Sequence, residues 1–397
     1  MDRTARTLMA GRALRGFVDG SVAVLLPAYL LALGHSEFEV GVLSTATLAG
    51  SAAATLALGA FGHRAHPRTL LLGAALLMAA TGLGFASAST MAPLLVVAFI
   101  GTLNPGSGDV SVFLPLEHAR LAAAGGNSAE RTSLFARYSL TGALSAALGS
   151  LCTAVPGWLA AQRGWPMVSA LRGVFLFYAL VGVAIWLLYR RLPLPPASAA
   201  AARPTPLGPS RRIVVKLAAL FSIDSFAGGL VLNSLLSLWL MQRFGLTIAS
   251  AGIFFFATGL LGAASQLAAP RLARRIGLVN TMVFTHLPAN LCLVGAALAP
   301  NWPVALALLL VRALLSQMDV PTRTAYVMSV VTPAERTAAA SFTAVPRSLA
   351  SAASPALAGA LFAAGWLAAP LLLCGVLKIG YDLTLWWACR GHPLQGD

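Results

Sequence analysis

Four carboxylates of this chain stand where a carboxylate is costly. Asp19, Asp109, Asp224 and Asp319 each fall inside a long apolar run. An ionised group at the centre of a bilayer costs about 2.5–3.5 kcal/mol on insertion scales, so it persists beside a partner or a water-filled cavity. Such groups are candidates for carrying a proton or meeting a polar solute. Around Asp319, the residues Arg312, Ser316 and Arg323 complete spacings of four, three and four, which place all four side chains on one helical face. Two readings stay open for that face: Asp319 neutralises Arg312 or Arg323 and permits burial, or the face meets substrate or a proton. Arg312 is permanently charged, so it suits an anchor for an anionic or polar group better than a proton carrier. Arg12, Arg15 and Asp19 also share a face, either as an ion pair at a gate or as a proton-coupling site. Asp224 has no basic residue four positions away. Desolvation disfavours the charged form of an unpaired carboxylate, which makes Asp224 the preferred protonation site, with a hydrogen bond to Ser or Asn of another span as the alternative. Asp109 follows Asn104-Pro105-Gly106-Ser107-Gly108, residues that loosen a helix and either expose backbone to a ligand or only kink the packing.

The elements that position these groups follow from hydropathy. Of the 397 residues 58% are apolar and 10% charged, and the mean hydropathy is +0.80. Soluble domains carry about 25% charged residues, so this chain cannot cover a water-facing surface. Apolar runs fall near 9–34, 38–62, 69–88, 91–117, 132–156 and 166–189, then near 213–241, 247–269, 278–299, 302–330, 338–363 and 366–389. Each is long enough for a helix to cross a hydrocarbon core of about 30 Å. The expected fold is all-α: a polytopic membrane protein of about twelve transmembrane helices. The segment 191–212 holds Pro193, Pro195, Pro196, Pro204, Pro206 and Pro209. It reads as a cytoplasmic linker between a six-helix bundle at 1–190 and another at 213–397.

The net charge of +15 raises the possibility of nucleic acid. Its distribution points instead to cytoplasmic loops, with Arg64, Arg68, Arg131, Arg271, Arg274, Arg275 and Arg336 on one side and few basic residues on the other. Both termini are then cytoplasmic, in a cell or inner membrane. Trp158, Trp165, Trp239, Trp302 and Trp366 mark the outer boundary.

The halves repeat. Asp19 matches Asp224, Asp109-Val110 matches Asp319-Val320, and Ala129-Glu130-Arg131-Thr132 matches Ala334-Glu335-Arg336-Thr337. Both halves begin on the same side, so the two pseudo-repeats are parallel. With these matches, the loop Gly59-Ala60-Phe61-Gly62-His63-Arg64-Ala65-His66-Pro67-Arg68 resembles the first signature of the major facilitator superfamily. His63 replaces the signature Asp, and Arg274 stands at its place in the second half. The resemblance implies that spans one, four, seven and ten line a central cavity. It also implies that Arg15, Arg64, Arg68, Glu130, Arg131, Arg271, Arg274, Arg275, Glu335 and Arg336 set the cytoplasmic gate.

Other residues read as structural. Lys378 and Asp382, four apart, form a mutually neutralised pair, and His286 is a satisfied packing residue. His63 and His66 lie in a basic loop that repels cations, so no metal is expected, and Cys152, Cys292, Cys374 and Cys389 have no ligand spacing. No nucleotide-binding loop and no Ser-His-Asp or His-Glu-x-x-His arrangement occurs, so neither a cofactor nor an enzyme is expected. The expected function is a monomeric, lipid-embedded secondary transporter that moves a small solute by alternating access. Protons couple at Asp19, Asp109, Asp224 or Asp319, Asn104 belongs to the same cavity, and family frequency favours efflux over uptake. An uncoupled facilitator, an uptake permease and a sensor or scaffold on a transporter fold are the alternatives.

Overall fold

The structure, a computed structural model, describes residues 2–106, 111–124, 128–193, 208–332 and 335–389. Asp109 and most of the linker lie outside the described residues. The described chain is all-α. Its helices are α1 (Arg3–Ala32), α2 (Glu37–Phe61), α3 (Pro67–Ser87), α4 (Met91–Ile100), α5 (Phe113–Ala124), α6 (Ser128–Leu151), α7 (Ala154–Arg163) and α8 (Met167–Tyr189). They continue as α9 (Arg211–Gly229), α10 (Asn233–Phe244), α11 (Ile248–Ile276), α12 (Leu278–Ala297), α13 (Trp302–Ser316), α14 (Asp319–Val330), α15 (Arg336–Ala353), α16 (Pro355–Ala363) and α17 (Ala369–Cys389).

Ten helical stretches of the described residues are long and apolar enough to cross a membrane. The two remaining apolar runs are broken: α4 and α5 flank non-helical residues around Asn104-Pro105, and α15 and α16 meet at Ser354-Pro355. A proline suits the first turn of a helix, where its missing N–H is not needed, and Pro355 opens α16 in this way. Breaks also separate α6 from α7, α9 from α10 and α13 from α14.

Helix packing repeats between the halves. α1 packs on α6 and α9 on α15, while α3 packs on α8 and α12 on α17. These are the same positions in each set of six spans, as parallel pseudo-repeats require. Small residues permit the closest approaches: a Cβ on Gly20 would lie 2.0 Å from the carbonyl oxygen of Ala146, so α1 and α6 touch backbone to backbone. α1 is also the most enclosed span, with 78% of its most apolar window buried. An all-round apolar helix in that position is interior, not lipid-facing. Trp239 departs from the expected boundary position: it is fully buried, edge-on to Phe244 with ring centroids 5.3 Å apart.

Candidate functional site

A cavity of about 650 Å³ runs between the two sets of helices. Toward one end the wall is mainly apolar, with Val24, Leu236, Phe254, Phe255 and Leu309 beside the polar Ser150, Asn233 and Thr258. Farther along the same helices the wall becomes polar, with Arg12, Ser316, Gln317, Arg312, Arg347 and Ser348. Arg312 and Ser316 thus lie where the sequence puts them. Arg347, in the middle of α15, escapes the sequence reading although a lone Arg in an apolar run is the same signal that singles out Arg312. Its Nε donates to Ser225 Oγ at 3.3 Å. Among the described residues no carboxylate lines this cavity. The expectation that Asp19, Asp224 and Asp319 face it is corrected accordingly.

The reason lies on the far side of α9. Asp224 is not unpaired: one carboxylate oxygen accepts from Arg323 Nη2 at 2.8 Å and the other from Lys378 Nζ. Arg323 Nη2 also donates to Asp319. Two anions and two cations therefore close a neutral, buried group formed by α9, α14 and α17. Burying an isolated charge in low dielectric costs several kcal/mol, and mutual pairing offsets it. The predicted single face of Arg312, Ser316, Asp319 and Arg323 is also corrected. α13 ends at Ser316 and α14 begins at Asp319, so the break at Gln317-Met318 turns Asp319 and Arg323 toward Asp224 and leaves Arg312 in the cavity. The Lys378–Asp382 pair is not formed as predicted. Lys378 serves Asp224, whereas Asp382 meets His286 Nδ1 at 2.8 Å and accepts from Asn290 Nδ2 at 2.9 Å. His286 is satisfied, as expected, through this carboxylate.

The first half holds a different arrangement. Arg15 Nη1 and Nη2 donate to the two carboxylate oxygens of Glu117 at 2.7 and 2.8 Å, in the fork geometry that suits guanidinium and carboxylate. Tyr138 and Tyr189 also donate to Glu117, the latter at 2.5 Å, and Arg15 lies 4.3 Å from the centroid of the Phe113 ring. Both charges are sealed, at 1% and 0% exposure, so Arg15 is a buried clamp between α1 and α5. Glu117 closes the fourth apolar run, and its pairing with Arg15 spans 102 residues, so the partnership is not local in the sequence. Asp19 is likewise buried, but its Oδ1 has no hydrogen-bond partner. Tyr178 lies near enough to interact with it electrostatically, yet the Tyr178 hydroxyl is bound to the Thr102 hydroxyl and carbonyl, each at 3.1 Å. Asn104 is buried in the α4–α5 break, where its Oδ1 accepts from Gly106 N at 3.1 Å.

The predicted gate residues spread over one end of the molecule. Arg64 stacks on Phe61 at 5.2 Å, Arg68 donates to the Arg190 carbonyl, and Arg271 donates to the Leu267 carbonyl at 3.4 Å. Arg274 and Arg275 are exposed at the end of α11, as are Glu130, Arg131 and Arg336 at helix starts. Glu335 accepts hydrogen bonds from the hydroxyls of Ser210 and Thr332, each at 2.6 Å, and from the Gly208 amide. These donors, Ser210 foremost, hold its carboxyl at about 2.

At the opposite end the two sets of helices touch. Gln242 donates to Glu37 Oε1 at 2.5 Å, Ala356 N to Thr45 Oγ1 at 3.0 Å, Ser237 to the Val24 carbonyl at 3.0 Å, and Thr153 to the Ile248 carbonyl at 3.2 Å. Gly41 meets α16 so closely that a Cβ there would lie 2.4 Å from the Pro355 carbonyl oxygen.

Two parallel repeats of six spans around a cavity that is bridged at one end define a membrane carrier. The sequence pattern of the Major Facilitator Superfamily matches residues 8–316, and the chain belongs to that family. An uncharacterised membrane protein of Saccharomyces cerevisiae is 23% identical over 418 positions, covering 96% of this chain and 93% of its own length. Among solved structures, the nucleoside transporter NupG is 15% identical with a TM-score of 0.73, covering 99% of this chain and 100% of that one. A bacterial homologue of the human lysosomal transporter Spinster, in an inward-facing and occupied conformation, is 14% identical with a TM-score of 0.75, covering 98% and 96%. A D-xylose–proton symporter is 15% identical with a TM-score of 0.74, covering 98% of each chain. At these identities the likeness shows the fold. The chain is a multi-pass membrane transporter of small molecules, and it is not an enzyme.

Proposed function

We propose that this chain is a proton-coupled secondary transporter in which two bundles, 1–190 and 213–397, rock about the central cavity while 191–212 links them. The carrying observation is the 650 Å³ cavity, bridged at one end by hydrogen bonds between the two sets of helices. Alternating access needs such a cavity and a closure that can be exchanged for one at the other end. The basic loops support a reading with both termini on the cytoplasmic side of a cell or inner membrane. The bridged end is then the outer one, and the state is inward-facing. The carrier works as a monomer in lipid.

Coupling is assigned to Asp19 in preference to Asp224 or Asp319. The latter two are held by Arg323 and Lys378, so protonating either would leave a cation without its partner. Asp19 has an unfilled acceptor, and adding a proton there breaks no ion pair. Its protonation changes the charge of α1, the span that contacts α6, α10 and α11 and so bears on both bundles. A likeness in fold to a proton symporter supports the coupling. The test is flux in proteoliposomes under an imposed pH gradient, comparing wild type with Asp19→Asn; direction, with efflux expected, is read in the same assay. Wild-type flux should follow the gradient and the variant should lose that dependence. Flux that ignores pH in wild type makes the protein a facilitator, and an Asn variant that keeps full pH dependence removes Asp19 from the mechanism.

A further inference from the structure

Resting on the transporter reading, we infer that the substrate is a small organic anion, held by its carboxylate or phosphate group between Arg312 and Arg347 with an apolar body toward Phe254 and Phe255. Arg312 and Arg347 both line the cavity, and among the described residues no Asp or Glu does. The nearest buried acids on the same side, Asp224 and Asp319, are consumed by Arg323 and Lys378 in a group that is neutral by itself. Asp224 acts on Arg312 and Arg347 only from a distance, and neither of these carboxylates lies within 4.0 Å of either cavity guanidinium.

Arg312 carries this furthest. It lies on α13 in the middle of the tenth span, its Nε is buried without a hydrogen-bond partner, and no carboxylate of the described residues stands within 4.0 Å of its guanidinium nitrogens. Arginine cannot shed its proton in a protein, so a buried guanidinium in this position calls for an anion. Arg347 approaches from α15, across the cavity axis from the first set of helices, and spends its Nε on the neutral hydroxyl of Ser225. Its hydrogen-bond partner is thus neutral, and Asp224 and Asp319 act on it only from a distance while Arg323 repels it. Two guanidinium forks on the wall of one cavity are the geometry that recognises carboxylate or phosphate.

Shape sets the rest of the ligand. Leu309 is one turn from Arg312 along α13, and Phe254 and Phe255 lie on α11 at the same end as Val24 and Leu236. The cavity is thus mainly apolar and without charge at its bridged end and cationic beyond it, which orients an amphiphilic anion with its charged group away from that end. A volume of about 650 Å³ lies within the range of sites for small organic ligands.

The test is binding to the purified full-length protein, read as thermal stabilisation and independent of flux. The probes are three matched phenyl compounds (benzoate, benzylamine and benzyl alcohol) with phenyl phosphate and inorganic sulfate, each raised to the same millimolar ceiling. Benzoate or phenyl phosphate should stabilise the wild type, while benzylamine and benzyl alcohol should not. Arg312→Gln and Arg347→Gln should each weaken the anion by about tenfold or more, the loss of one hydrogen bond to a charged group, and Arg312→Lys should recover part of it. Benzylamine or benzyl alcohol binding as well as benzoate, no shift from any of the anions, or wild-type anion affinity in both Gln variants each overturns the assignment. A bound anion that is never moved across proteoliposomes would sink the transporter reading and leave the anion site standing. A cation carried at full rate by Arg312→Gln would do the reverse.

Discussion

Replacing Lys378 by Met keeps most of the side-chain volume and removes one of the two cations on Asp224. The group of Asp224, Asp319, Arg323 and Lys378 then carries a net negative charge inside the bundle, where its side chains are more than nine-tenths buried. Breaking a buried pair in this way costs about 3–5 kcal/mol, because the remaining charge stays desolvated. Asp224→Asn should cost a similar amount for the opposite reason: Lys378 and Arg323 face a single anion. The two substitutions together restore neutrality, with Asp319 and Arg323 still paired. Replacing a whole buried pair by neutral groups is close to neutral for stability, so the coupling in a double-mutant cycle should reach about 3 kcal/mol or more. The assay is thermal melting of the purified protein in one detergent, with size-exclusion profiles to confirm folding. Each single variant should melt well below wild type, and the double variant above both singles. A double variant that falls by the sum of the singles refutes the ion-pair account. The same double variant should keep pH-dependent flux; a folded double variant that lost it would return the coupling role to Asp224.

Two further outcomes follow from the ends of the molecule. Gly41→Leu places a side chain where the Pro355 carbonyl and the Gly359 backbone already touch, so it should prise the bridged end apart. With the native cysteines replaced by Ser, a cysteine at position 45 should then label faster with an impermeant maleimide from that side; unchanged labelling would refute the closure. Glu335→Gln removes the anion that Ser210, Thr332 and Gly208 hold. The folded carboxyl titrates at about 2 against an ordinary 4.5, so its contribution is fully present above pH 4.5 and is lost as pH falls toward 2. The melting difference between wild type and Glu335→Gln should therefore be flat from pH 8 to pH 5, and a difference that vanished already by pH 6 would exclude this account.

What could be read in advance was whatever is local in the chain. The spans follow from run length, the break after the fourth run's apolar core from Asn104-Pro105, and the repeat from short matched segments. Pairing was not legible, because partners come from distant spans. Asp224 lacks a cation four residues away, yet its two cations lie 99 and 154 residues ahead. Lys378 and Asp382 have helix-neighbour spacing, but each finds a better partner on another helix, and a solvent-exposed rule for such pairs does not carry into a packed bundle. The face drawn through Arg312 and Arg323 assumed an unbroken helix, which Gln317-Met318 interrupts. Arg347 and Glu117 were within reach, since each is a charged residue in or at the end of an apolar run.

The two repeats start from the same carboxylate and give it different work. Tyr178 stands eight residues before Trp186, and Lys378 eight before Trp386, so they occupy matched places on the sixth and twelfth spans. Lys378 bonds Asp224, whereas Tyr178 stands near Asp19 with its hydroxyl committed to Thr102. The second repeat thus neutralises its carboxylate permanently and leaves Arg312 and Arg347 to define the cavity. In the first repeat Arg15 is bound to Glu117 instead, and Asp19 Oδ1 keeps no hydrogen-bond partner, which is where the proposed coupling proton would sit. On this reading the loss of a lysine partner, rather than the gain of an acid, is what makes Asp19 a coupling site. Installing Lys at position 178 should accordingly pin Asp19, abolish pH-dependent flux and raise thermal stability. A Tyr178→Lys protein that folds and still couples to pH would break that link.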